Sequence, residues 1–451
     1  MSGGANVFPR RSRSRAVASL LVRDAVVLTL DAQRRVLRGD VRVEDGLITH
    51  LGDAPQHADE VIEAGGDILL PGFVNAHTHT PMTLLRGLGD DLALEEWLRT
   101  RIWPAERHLT RELVGLGTEL ALLEMARTGT VAFNDMYFFS DTTAQKAADA
   151  GMRASVGATL IDFDTAEMKK EQQEANARRF AREWSEHPLI TPTISPHSTY
   201  MCSDETLARV KALVDELDVQ VHTHCSETRF EVQDVLEKRG ARPVELLARA
   251  GVLPESILAH CGWVTKDEVR TLAAHGAHVA HCPVSNMKLA TGGTMPLLEM
   301  WDAGVNVAMG TDGAASNNTL DVLESTKYAA LAQKQHRWDA SAAPAGRVLE
   351  AATLGGRRAL RLSAGGIAVG EPADFALVST KAPHMRPLHD PASTLVYCAS
   401  GSDVRATFVA GRALYLDGAW PTLDAPRILR DTERAAARLH ELVAAGLEAV
   451  R

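Results

Sequence analysis

The stretch LLPGFVNAHTHT, residues 69–80, decides how this chain is read. It starts as an apolar run of strand length and ends on two histidines two apart, His77 and His79. Residues i and i+2 of a strand point to the same side, so both imidazoles can reach one cation. A lone H-x-H pair is weak evidence, since it also arises by chance or on a solvated strand. Its weight comes from recurrence. Ligand-capable side chains return where later apolar strands meet polar loops: His224 and Glu227 in VQVHTHCSE (219–227), His260 in SILAHC (256–261) and Asp312 in NVAMGTDG (306–313). Three neutral imidazoles and one carboxylate leave a divalent cation net positive, able to lower the pKa of a bound water toward about 7. His222 shares the strand parity of His224 but lies deeper and is read as structural, as are His275, His278 and His281.

Outward from this stretch, strand-like runs alternate with amphipathic helical segments. The remaining strand candidates are TVAFNDM, RASVGATLI, ITPTISPH and AHVAHCP; helices are expected over 111–128, 203–217, 242–250, 266–275 and 320–334. Eight such units between residues 71 and 362 suit an α/β barrel better than an open sheet, and no G-x-G-x-x-G opens a helix. Catalytic groups are then expected at the C-terminal ends of the strands. Short strands with Asp-Gly turns fill residues 19–70, and the same texture returns over 363–425. Residues 426–451 read as a helix covering the surface, and residues 1–18, with Arg10, Arg11, Arg13 and Arg15, as a disordered basic extension. That extension superficially resembles a signal peptide, but Arg23 and Asp24 end its apolar run after seven residues.

The 451 residues are 45% hydrophobic and 24% charged, enough for one large or two moderate domains. A net charge of −10, spread along the chain, argues against nucleic-acid binding, and no apolar run has the length of a membrane span. Five cysteines (Cys202, Cys225, Cys261, Cys282, Cys398) without a C-x-x-C spacing argue against a disulfide framework and fit a reducing cytoplasm.

With His77, His79, His224, His260 and the Asp312 of TDGAASNN in place, the chain resembles the amidohydrolase superfamily over about residues 20–417. The resemblance implies a distorted (β/α)8 TIM barrel with a discontinuous β-sandwich domain built from both chain ends. More narrowly, NAHTHTPMTLLRGLGDDL, WPAE, DMYFF, SPHSTY, HCPVSNMKLA and GTDGAASNN are similar to the deaminases of 5′-methylthioadenosine and S-adenosylhomocysteine. Many binuclear members carry a bridging lysine at the end of the fourth barrel strand, whereas ITPTISPHSTY has none. Both readings therefore agree on one divalent metal, zinc first, with iron(II) or manganese able to substitute. His77, His79, His224 and Asp312 are its expected ligands, and the resemblance places His260 against the bound water or the substrate.

Hydrolytic deamination needs a group that moves protons from the attacking water to the ring nitrogen and the leaving amine. Glu227, three residues after His224, is assigned that role, with Asp312 orienting the attacking oxygen; a helix-opening surface glutamate and a helix N-cap are the competing readings. Glu106 in WPAE offers two acceptor oxygens for ribose hydroxyls, His197 in SPHSTY faces the same mouth, and Trp97 in EEWL covers a sulfur substituent. For these residues a solvated helix face or plain helix packing competes. Relatives that read the homocysteine carboxylate are similar after Gly-Met-Arg but place a further arginine there; GMRASVGATLID has only Arg153, with Ala158 and Thr159 where it is expected. An apolar pocket of Trp97, Met82 and Leu85 then favours 5′-methylthioadenosine over S-adenosylhomocysteine or adenosine, unless Lys169, Lys170 or Arg178 supplies the charge. The alternatives are an amidohydrolase of another aminated or halogenated heterocycle, of guanine or triazine type, and a non-catalytic assembly barrel, which the retained ligand set disfavours. The expected partner is a small-molecule nucleoside, with no nucleic acid and no membrane, in a cytoplasmic homo-oligomer.

Overall fold

The structure is a computed structural model that describes residues 19–448, side chains 445–448 aside; the basic extension lies outside the described residues. The chain opens with five strands, β1 (Ser19–Leu28), β2 (Val36–Glu44), β3 (Leu47–Gly52), β4 (Glu60–Glu63) and β5 (Ile68–Pro71). Eight further strands follow: β6 (Phe73–Thr78), β7 (Thr130–Tyr137), β8 (Arg153–Leu160), β9 (Ile190–Pro196), β10 (His222–Cys225), β11 (Ile257–His260), β12 (His278–His281) and β13 (Asn306–Met309). The last three are β14 (Phe375–Val378), β15 (Val404–Val409) and β16 (Arg412–Leu416).

The outer strands of both chain ends join in one sheet of order β16-β15-β14-β5-β1-β2-β3, with β4 also pairing β1. Alternating apolar residues close one face of it, where Leu20, Val22, Val41, Ile48, Phe375 and Phe408 pack together. The Phe375 and Phe408 rings stand 4.9 Å apart between centroids, the offset separation that aromatic pairs favour.

The eight central strands form two parallel four-stranded sheets, β6-β7-β8-β9 and β10-β11-β12-β13. The single closed ladder expected from the sequence is therefore not drawn; the halves meet at two irregular seams. Isolated bridges link Ile194 to Val221 and Ser198 to His224 at one seam. At the other, the Asn75 side chain stands in for a strand partner, accepting from Thr311 N at 3.0 Å, and Asp312 N donates to His77 O at 2.9 Å. The cause is local: β6 bulges between Asn75 and Thr78, and β10 to β13 are four residues each, shorter than their apolar runs suggested. A Cβ on Gly310 would lie 3.0 Å from that of His77, so the seam's close approach needs a glycine.

The expected helices form at Arg111–Arg127, Asp204–Leu217, Pro243–Arg249, Lys266–Ala274 and Val322–Arg337. Two of their starts are capped by side chains: Ser203 accepts from Thr206 N, and Thr265 and Glu268 form a reciprocal box. A helix at Ala425–Glu448 packs Leu439 and Val443 against an apolar cluster with Met82, Leu85, Trp97 and Ile102. That cluster braces residues 80–106, the segment over the strand ends. Among the described residues no helix is long and apolar enough to cross a membrane.

Candidate active site

The strands deliver their polar ends to one place. His77, His79 and His224 bring ring nitrogens, and His77, His260 and Asp312 bring ligand atoms, within 4.8 Å of one another in each set. Asp312 Oδ1 lies 3.2 Å from His79 Nε2 and 3.5 Å from His77 Nε2; His224 Nε2 is 3.3 Å from His79 Nε2.

Each ring is fixed from behind. His79 Nδ1 donates to Met136 O at 2.5 Å and His224 Nδ1 to His197 O at 2.8 Å. Carbonyls only accept, so both rings carry their proton on Nδ1 and aim the Nε2 lone pair inward. His77 Nδ1 shares a 2.8 Å hydrogen bond with His222 Nε2, and His77 Nε2 is fully buried with no hydrogen-bond partner. His222, read as structural, thus orients a cluster histidine.

Asp312 is held by Ser285 Oγ, which donates to Oδ2 at 2.6 Å, and by Gly313 N, which donates to Oδ1 at 2.7 Å. Burial alone would raise its pKa, but the His77 and His79 imidazoles hold it well below the usual carboxylate range. Against the lowering effect of burial, the same carboxylate pushes His79 up to about 9, so a proton and a cation compete for its Nε2 lone pair. Such an anion, facing inward imidazole lone pairs and an orphaned buried nitrogen, fits a divalent cation.

His260 reaches the cluster by an irregularity. It pairs with Cys225, whose side chain alternates away from that of His224, so regular parity would turn it from the mouth. Its φ of 73° turns it back, and Asn286 Oδ1 accepts from its Nδ1 at 2.9 Å. Asp312 is left-handed too, at φ 65°; such conformations cost free energy and concentrate at functional sites.

Glu227 Oε2 lies 3.9 Å from His260 Nε2, with the side chain buried. The next helix, Arg229–Arg239, is capped by Thr228, which leaves Glu227 outside it and excludes the surface-glutamate reading. Glu231 accepts from Ser226 N and Glu227 N at 3.1 and 2.7 Å and so fixes this loop. Burial raises the Glu227 pKa, which the nearby His260 only partly offsets. No helix begins at Asp312, which removes its N-cap reading.

The cluster opens into a cleft that also receives Glu106, His197 and Trp97. Tyr137 donates to Glu106 Oε1 at 2.8 Å, and desolvation among apolar walls pushes that carboxyl up to about 7. His197 Nδ1 is engaged by Ser198 Oγ at 3.2 Å, and burial lowers its pKa to about 3, leaving a neutral ring with Nε2 unused by that bond. Trp97 both lines the cleft and packs in the apolar cluster, so its two readings coexist. Met82 lines the cleft, whereas Leu85 sits behind it in that cluster.

No lysine or arginine lines this cleft among the described residues. Arg153 pairs with Asp374, Lys169 with Asp164, Lys170 with Asp162, and Arg178 with Glu174 and Glu216. Sequence reading missed Tyr137, Ser285, Asn286 and Glu231; the DMYFF and HCPVSN runs around the first three were the available signal.

Residues 68–414 match the model of the amidohydrolase family. A 5′-deoxyadenosine deaminase of Methanosarcina mazei is 42% identical over 94% of this chain and 99% of the relative. A 5-methylthioadenosine/S-adenosylhomocysteine deaminase of Pyrococcus furiosus is 40% identical over 91% and 98%. A crystal structure of a Xanthomonas campestris adenosine deaminase with bound zinc superposes with a TM-score of 0.90 at 38% identity, covering 94% of this chain and 98% of that one. The zinc complex of the atrazine chlorohydrolase TrzN of Arthrobacter aurescens gives 0.85 at 22% identity, over 92% and 100%, and shares the fold alone.

Proposed function

Since this chain belongs to the amidohydrolase family, we propose that it is a zinc-dependent hydrolytic deaminase of adenosine-type nucleosides, with 5′-methylthioadenosine favoured. The observation that carries this reading is the one cleft that joins the His–Asp cluster and Glu227 to Glu106 and His197. The nucleoside deaminases among its relatives and the zinc of the Xanthomonas neighbour support it. In this reading residues 71–362 form a distorted (β/α)8 barrel, 19–70 and 363–425 a β-sandwich domain, and the described residues from 426 on an appended helix.

His77, His79, His224 and Asp312 hold the cation, and with no lysine on β9 the site takes one ion. The bound cation supplies the positive charge that acidifies a water near neutral pH. Glu227 takes a proton from the attacking water as its oxygen bonds to C6, and gives it to the ring nitrogen. Glu227 then carries the water's second proton to the amine, which leaves as ammonia when its C–N bond breaks. Its raised pKa suits a group that must hold a proton between these transfers. His260 gives its Nδ1–H to Asn286, so its Nε2 accepts from the attacking water and orients it. Glu106 and His197 bind the ribose, and Trp97 with Met82 covers an apolar 5′ substituent. A cleft without a basic lining residue disfavours an anionic substituent, because a charge-assisted hydrogen bond is missing.

The deciding experiment is hydrolysis of adenosine, 5′-deoxyadenosine, 5′-methylthioadenosine, S-adenosylhomocysteine, guanine and a chlorotriazine side by side, read as ammonia released and, for the chlorotriazine, as chloride released. Turnover confined to the nucleosides, with the highest kcat/KM on 5′-methylthioadenosine, is expected. Turnover of guanine or the triazine alone refutes the reading.

A further inference from the structure

The helix Arg229–Arg239 opens with Thr228 as its N-cap and Glu231 three residues on, the pairing from which a reciprocal capping box is built. At Thr265 and Glu268 the box is complete, and the Glu268 carboxylate accepts from the N-cap backbone N–H at 2.8 Å. At Thr228 only half of it forms. Thr228 Oγ1 accepts from Glu231 N at 3.0 Å, but the Glu231 carboxylate passes over the N-cap to the two residues before it. There Oε2 accepts from Glu227 N at 2.7 Å and Oε1 from Ser226 N at 3.1 Å.

Ser226 explains what the detour does. It is left-handed, at φ 50°, a conformation that costs a non-glycine residue free energy and must be held from outside. Glu231 holds its N–H, and on the other side Ser226 O accepts from Trp263 N at 3.0 Å. That second bond stitches the loop to the segment just after His260, so both contacts set the 3.9 Å between Glu227 Oε2 and His260 Nε2. Glu231 is buried, and among the described residues no lysine or arginine pairs with it. Burial of a carboxylate without a cation is costly, and the Glu227 and Ser226 N–H groups are what offset it.

We infer that Glu231 is a positioning residue for Glu227: its two carboxylate oxygens hold Ser226 left-handed and so aim the proton carrier toward His260. This rests on the deaminase reading above. An amide cannot replace it, because Gln offers one acceptor oxygen and turns an NH2 group on the second N–H. Asp falls a methylene short.

The test measures kcat, KM and metal content for Glu231→Gln, made both in the parent and in Glu227→Gln. In the parent kcat should fall about 10- to 100-fold, the cost of a reacting group displaced by up to about 1 Å, with KM and zinc content within about twofold. In Glu227→Gln no proton carrier is left to aim, so the same change should cost less than about twofold. Glu231→Asp should give the same pattern and carries the test if the amide prevents folding. An unmoved kcat, an equal loss in both backgrounds, or loss of the metal overturns the assignment. If the parent deaminates no nucleoside, the deaminase reading fails, and amide hydrogen exchange still decides on Glu231. Ser226 and Glu227 N–H should exchange about tenfold faster in Glu231→Gln, for the loss of one charge-assisted hydrogen bond, and unchanged exchange overturns the clamp.

Discussion

Replacing Glu227 with Gln separates proton transfer from every other job in the site. The amide keeps the shape, and the loop that carries it is fixed by Glu231 through the Ser226 and Glu227 backbone N–H groups, which the change does not touch. The nearest basic group, His260 Nε2, is 3.9 Å away, beyond hydrogen-bond reach, so no direct bond is lost. The histidines and Asp312 proposed to bind the cation are untouched, and metal content should equal the parent's. An amide cannot hold a proton, so turnover should fall by about 10²–10⁴, or about 3–5 kcal/mol of barrier. Stability gives an independent check. A carboxyl whose folded pKa is raised costs stability once pH passes its unfolded value, and Gln removes that cost. The metal-free variant should therefore melt at or above the metal-free parent at pH 7.5. Ammonia release, metal analysis and calorimetry read the three quantities; more than about a tenth of the parental rate, or loss of the metal, would falsify the assigned role.

Purified protein should hold about one zinc ion per chain, and His224→Ala or Asp312→Ala should lose most of it together with activity; two tightly bound ions per chain would contradict the ligand set. Nucleoside affinity should depend on pH through Glu106, whose carboxyl is pushed up to about 7. Below that value it is protonated and one ribose acceptor is lost, so the Ki of the inosine product should fall as pH rises from 6 and level off above about 8. Glu106→Gln should flatten that profile, and a flat parental profile would remove Glu106 from the binding site.

The parts legible in the sequence were those set by local rules. Two-residue strand parity placed His77 with His79, and the repeated change from apolar strand to polar loop found His224, Glu227, His260 and Asp312 without a fold. What stayed hidden depends on contacts between distant segments. Tyr137 matters because it meets Glu106, 31 residues earlier, and Ser285 because it meets Asp312, 27 later. Nothing in DMYFF or HCPVSN alone points at those partners. The uneven barrel was hidden for a related reason, since apolar runs give strand positions but not where a ladder breaks. His260 shows how the two levels meet. Its place at a strand end was readable, yet on a regular strand it would face away from the metal cluster, and only the left-handed turn at φ 73° brings it in. Asp312 at φ 65° carries the same kind of strain. The two residues assigned to orient the attacking oxygen are thus held by backbone conformations that side-chain patterns do not encode, and the packing of the surrounding strands must sustain them.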